Sequence, residues 1–250
     1  MNKSTSRIVI LTKRNIKEIL RDPLSLIFAV LTPLVLEVLF YLIFHDLTAQ
    51  FEMKYLAPGI VVFSQTFLTL FTGLLIAVDR QTSFLTRLYV SGAGSHEFIF
   101  GYAFAVLPIG LSQAILFFLV GGLIDPTIFG AGMLWSVLLS SVSALFFIGL
   151  GILFGSLCGE KSIGGVSSVV ITGQSVLSGM WFPTEGLGEG MISAMRCLPF
   201  KNATDAVRNA LIGTEDALGD ILIPMLIVAG YAAVAIVAAI VAFGRRMKDN

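Results

Sequence analysis

Charge is scarce in this chain. Only 13% of its 250 residues are Asp, Glu, Lys or Arg, about half the usual share of ~25%. Basic and acidic residues number 16 each, so nothing in the charge balance points to nucleic acid. His and Cys are limited to two apiece. His45 and His96 lie at the edges of apolar runs, and Cys158 and Cys197 alone make no metal site. Neither a Gly-x-Ser-x-Gly elbow nor a His-Glu-x-x-His pair occurs. Gly155–Ser162 approaches a phosphate-binding loop, but Glu160 stands where glycine must directly precede Lys161. That stretch also follows an apolar helix rather than a strand. These shortages argue against an enzyme, and no cofactor or metal is expected in the chain itself.

Apolar residues fill the space that charge leaves. They make up 56% of the chain, with mean hydropathy +0.91. They gather in six runs: Leu24–Phe44, Ala57–Val78, Ile99–Ile124, Met133–Cys158, Ile163–Pro183 and Ile221–Phe243. Each is at least as long as the ~20 residues a helix needs to cross a bilayer. Lipid offers no hydrogen bonds, so a spanning segment must satisfy its own backbone as a helix. The expected fold is an all-α membrane protein with six transmembrane helices, forming one domain over residues 1–250. No cleavable leader is expected, because the first run follows a long charged segment and ends without a small-residue cleavage site.

Basic residues set the expected orientation. With both termini cytoplasmic, 12 Lys and Arg fall inside and 4 outside. Cys158 and Cys197 then lie on opposite sides, so no disulfide between them is expected.

Three polar segments carry further information. Thr5–Arg21 reads as an amphipathic interfacial helix. Ile8, Val9, Leu11, Ile16, Ile19 and Leu20 share one half of the wheel, while Arg7, Lys13, Arg14, Lys17 and Arg21 share the other. Asp22-Pro23 ends it. The inner loop, residues 79–98, begins with Asp79-Arg80 and presents Phe84, Leu85 and Leu88 at helical spacing. A helix docking into a soluble partner and a connector resting on lipid fit that pattern equally. The outer segment, residues 184–220, contains two short helical stretches, Met191–Cys197 and Asn202–Leu211, in which Asp205 and Arg208 are able to pair. A helical hairpin between the fifth and sixth spans is expected there, either dipping into the outer leaflet or capping it from outside.

Within the runs the one acidic or basic residue is Glu37, four positions after Pro33. Ionisable groups at depth are functional candidates, and Glu37 fits a substrate-facing role as well as a structural one. Gln65, Gln113 and Gln174 add neutral polar groups. They serve more often as hydrogen-bond partners between helices, although Gln65 and Gln174 also count as candidates for a translocation path. Gly151, Gly155 and Gly159 form a small-residue line suited to close helix packing.

Several motifs then combine. They are Leu20-Arg21-Asp22-Pro23, Tyr55-Leu56-Ala57-Pro58-Gly59, Asp79-Arg80, Leu177–Pro183, Leu198-Pro199-Phe200 and Asp205-Ala206-Val207-Arg208. In this order and spacing the chain resembles the permease subunit of ABC type-2 exporters, the group of drug, polysaccharide and lipid carriers. The resemblance implies a membrane-embedded subunit that dimerises with a second copy or a homologue around a central path. It implies a separate cytoplasmic ATPase, which binds ATP and Mg and docks on the elbow helix and the 79–98 loop. Asp79, Arg80, Phe84, Leu85, Leu88, Glu160 and Lys161 become coupling candidates. A secondary carrier would show inverted repeats, interrupted helices and charged groups near the midplane, and here no clear repeat is seen and Glu37 is the one such charge. A non-transporting scaffold is the remaining alternative.

Overall fold

The computed structural model describes residues 3–82, 94–181 and 187–248, and among these the chain is helical with no strand. Helix α1 covers Lys3–Leu20 and α2 covers Pro23–Phe44. The break between them is chemical. Pro23 lacks the N–H that a helix start would leave orphaned, and Asp22 accepts the Ser25 amide at 3.3 Å as an N-cap. Helix α3 (Met53–Gln81) returns, and α4 (Ser95–Ile124), α5 (Ala131–Leu157) and α6 (Glu160–Leu177) follow. Two short helices, α7 (Glu189–Cys197) and α8 (Pro199–Ile212), precede α9 (Ile223–Lys248), which is entered through a π turn at Leu218–Leu222. The end of the bundle that carries α1 is called the near end, and the opposite end the far end.

Among the described residues five segments are long and apolar enough to cross a membrane: α2, α3, α4, α5 and Leu218–Arg245. The expected fifth run, Ile163–Pro183, does not join them. Its helix, α6, has 18 residues and stops at Leu177, a length of about 27 Å at 1.5 Å per residue. Gly164, Gly165, Ser167, Ser168, Thr172, Gly173 and Gln174 dilute its hydropathy. Beyond Ser178, Gly179 adopts φ 68°, a left-handed conformation that glycine enters at little cost. The chain nevertheless follows α3 for much of its length. A Cβ on Gly73 would meet Ile163 at 2.9 Å, and one on Gly59 would meet Met180 at 3.0 Å. Gln50, in the turn between α2 and α3, donates to the carbonyls of Gly179 and Met180 at 2.6 and 2.9 Å.

Helix α3 is the axle of the bundle. Of its apolar window 72% is buried, against 17% for α2. Close approach by small residues explains the packing of α5 on α3. A Cβ at Gly151 would stand 2.7 Å from the Thr69 carbonyl, and one at Gly155 would stand 2.8 Å from that of Gly73. Gly159 lies past the end of α5, where no atom comes within 4 Å of an added Cβ. At the far end Phe40, Phe44, Phe51, Phe63 and Trp181 cluster, with the rings of Phe40 and Trp181 4.3 Å apart.

Candidate functional site

The densest polar structure sits at the near end, where α3 finishes. Asp79, in its last turn, is 2% exposed. A buried carboxylate needs a partner, and two other helices supply it. From α1, Arg14 forks onto both carboxylate oxygens, with Nη2 2.6 Å from Oδ1 and Nη1 on Oδ2. From α4, the Tyr102 hydroxyl donates to Oδ2 at 2.6 Å. Arg14 also donates to the Asn15 side chain at 3.0 Å, and Asn15 reaches the Gly101 carbonyl of α4 at 3.4 Å. A second pair, Arg7 with Glu97 at 3.4 Å, ties the start of α1 to the start of α4. Burial works against charge on Arg14. The hydrogen bond and charge of Asp79 outweigh it and hold the guanidinium above the ordinary arginine range.

The next residue points to another helix. Arg80 Nη1 donates to the carbonyls of Gly155, Ser156 and Cys158 at 2.7, 2.8 and 3.1 Å. These are carbonyls at the end of α5 that have no partner within the helix, and a cation is favourable there. Consecutive residues thus clamp α3 to α1 and α4 on one side and to α5 on the other.

The sequence expectations meet this geometry unevenly. Phe84, Leu85 and Leu88 lie outside the described residues. Asp79 is buried and Arg80 half-buried, each engaged within the chain, while Glu160 and Lys161 are exposed at the start of α6. Periodicity puts Arg7 and Arg14 on the basic half of α1, away from its apolar half. They turn toward Glu97 and Asp79, because Leu11, Asn15 and Ile19 form the stripe that α1 buries. Tyr102 was invisible in the sequence, one aromatic residue inside an apolar run. Cys158 and Cys197 are both free thiols.

The path candidates occupy separate seams, and all three are fully buried. Gln65 of α3 accepts from Ser143 of α5. Gln174 of α6 donates to Thr204 of α8 at 3.2 Å. Glu37 of α2 lies against α3 and α4, its Oε1 3.5 Å from where a Cβ on Gly121 would stand. Neither of its oxygens has a hydrogen-bond partner among the described residues. At the far end Arg208 donates to the Tyr55 carbonyl at 3.2 Å and lies 3.7 Å from Asp205. Burial pulls its pKa below the ordinary arginine value, against the opposing charge of Asp205.

Among the described residues no group of three His, Cys, Asp or Glu is placed to hold a metal. The arrangement consists of charged clamps at helix ends and isolated polar groups in helix seams. No curated protein matches the chain. A family model, ABC-2 type transporter, matches residues 6–212, more than four-fifths of the length. The chain belongs to the ABC-2 type transporter family and is a membrane-spanning transport component.

Proposed function

We propose that this chain is the permease subunit of an ATP-driven exporter, moved by a separate cytoplasmic ATPase that binds ATP and Mg. The near end faces the cytoplasm of a cell bounded by its plasma membrane, and both termini lie on that side. Segment 79–98 is the coupling loop, with Phe84, Leu85 and Leu88 as its docking residues and Glu160 and Lys161 as a second contact. The observation that carries this reading is the clamp at the root of that loop. Asp79 and Arg80 bind α3 to α1, α4 and α5. A displacement of the loop would therefore be handed to four helices at once rather than absorbed by one.

The far-end hydrogen bonds of Gln50 support α6 as a sixth crossing, shorter and more polar than the others. Its free face supports a second copy of the permease, or a homologue, as partner. Gly164, Ser168 and Thr172 repeat at four-residue spacing and are exposed on α6. Small and polar residues suit another helix better than lipid tails. Lipid covers the apolar face of α2, where Leu24, Ile27, Phe28, Leu31 and Leu42 are exposed. The substrate is a hydrophobic or amphipathic compound, and α7 and α8 shape its exit. Pull-down of the tagged chain from its native membrane tests the reading. An ATP-hydrolysing protein should co-purify in stoichiometric amount, and its absence from a transport-competent preparation would contradict the proposal.

A further inference from the structure

Three observations converge on Glu37. The first is the carboxyl group itself, fully buried, without a hydrogen-bond partner among the described residues, and the one acidic or basic side chain within the six apolar runs. Its surroundings are small or apolar: Ala57, Gly121 and Ile128 meet at the same point. A carboxyl group buried in such a place without a partner takes its neutral form, and positive charge is what would stabilise the ionised one. The second is aromatic. Phe40, one turn along α2, leads a cluster with Phe44, Phe51 and Trp181, whose ring centroids lie 4.3 to 5.7 Å from neighbouring rings. Aromatic faces beside an acid are the setting that recognises organic cations.

The third is a hinge. Pro33 sits inside α2 and has no N–H, so the Ala29 carbonyl loses its helical bond. Gln113 of α4 reaches that carbonyl instead, at a long 3.5 Å. Ala29, Pro33 and Glu37 are the buried stripe of α2, the least buried of the spanning helices. The segment beyond Pro33 is therefore held by that stripe and by the aromatic cluster. The missing hydrogen bond makes Pro33 the weakest point of the helix backbone.

We propose that Glu37, the aromatic cluster beside it and the Pro33 hinge form a recognition site for an organic cation, reached when the far half of α2 moves away from α3 and α4. This rests on the exporter reading only in naming the substrate class, because binding needs no ATPase. The test uses the full chain in lipid nanodiscs. Its probe is tetraphenylphosphonium, permanently charged and thus unable to act as a proton donor, with neutral triphenylphosphine oxide as counter-probe and empty nanodiscs as blank. Glu37→Gln should weaken tetraphenylphosphonium binding at least tenfold and leave the neutral probe unchanged, while Glu37→Asp keeps most of the affinity. Pro33→Ala returns the amide to the helix and should slow association of the cation. An unchanged association rate in that variant removes the hinge. Equal cation binding in Glu37→Gln, equal loss of both probes, or wild-type binding no greater than the blank overturns the site. A charge-dependent site without ATP-driven flux would sink the exporter reading alone. ATP-driven flux with no charge dependence at Glu37 would sink this proposal alone.

Discussion

Arg14 and Asp79, 65 positions apart, meet in a two-pronged ion pair that fastens α1 to the last turn of α3. The pair is asymmetric. Asp79 is buried, whereas the Arg14 side chain keeps 30% of its exposure. Removing one member therefore has different consequences on the two sides.

Arg14→Gln strands a buried carboxylate, with only Tyr102 left as a donor. The expected cost is about 3 kcal/mol, the low end for a broken buried pair. Asp79→Asn should cost less, because the guanidinium can turn to water and to Glu18, 3.9 Å away. The double variant should be more stable than the two single losses predict when added. Thermal unfolding of the purified protein measures all three. Strict additivity would show that the two residues do not interact.

Tyr102→Phe removes one hydrogen bond to a charged acceptor and nothing else. A loss of about 1.5–3 kcal/mol is expected. If the clamp transmits loop motion, the variant should also lower the flux obtained per ATP hydrolysed, which a simple loss of stability would not change. An unaltered ratio would leave Tyr102 with a packing role.

Glycine substitutions separate two kinds of close packing. Gly151→Val drives side-chain atoms into the Thr69 carbonyl, where a Cβ alone would be 2.7 Å away. Backbone cannot yield as a flexible side chain can, so at least about 3 kcal/mol of destabilisation is expected, the upper end for overpacking. Gly164→Leu meets open space within the chain. It should leave the melting temperature of the isolated subunit unchanged and weaken self-association. Size-exclusion chromatography with light scattering reads the second effect, and an undisturbed dimer would remove α6 as the contact.

The two native cysteines report orientation. Cys197 is exposed at the far end, and Cys158 lies at the near end. With Cys158 replaced by Ser, a membrane-impermeant maleimide should label Cys197 in intact cells. Labelling only after permeabilisation would reverse the proposed topology.

Much of this architecture was legible in the sequence, because long apolar runs have few solutions in lipid. The first run, Leu24–Phe44, differs from α2 by one residue at its start, since Asp22-Pro23 fixes the helix start chemically. The second run, Ala57–Val78, is contained in the longer α3. Hydropathy marks where apolar residues lie and not where a helix ends, and Met53 to Leu56 continue the helix into the polar turn. In sequence Ile163–Pro183 looks like a span equal to the rest, because uncharged Gly, Ser and Thr look permissive in a count of charges. Their low hydropathy sets α6 apart from the other five segments. The near-end clamp was half legible. Asp79-Arg80 stood out as a motif, but its partners come from 65 positions before and 23 after Asp79. Wheel periodicity places Arg14 on the basic half of α1 and names no partner for it, because it weighs hydrophobicity and not the pull of a distant buried acid.

The central claim is that this chain is driven by a nucleotide-hydrolysing partner, and reconstituted flux tests it most directly. Proteoliposomes containing the chain with its co-purified ATPase should transport only with Mg-ATP inside the compartment that holds the ATPase. The chain alone should transport nothing under any ion gradient. Gradient-driven flux by the chain alone, without ATP, would contradict the account.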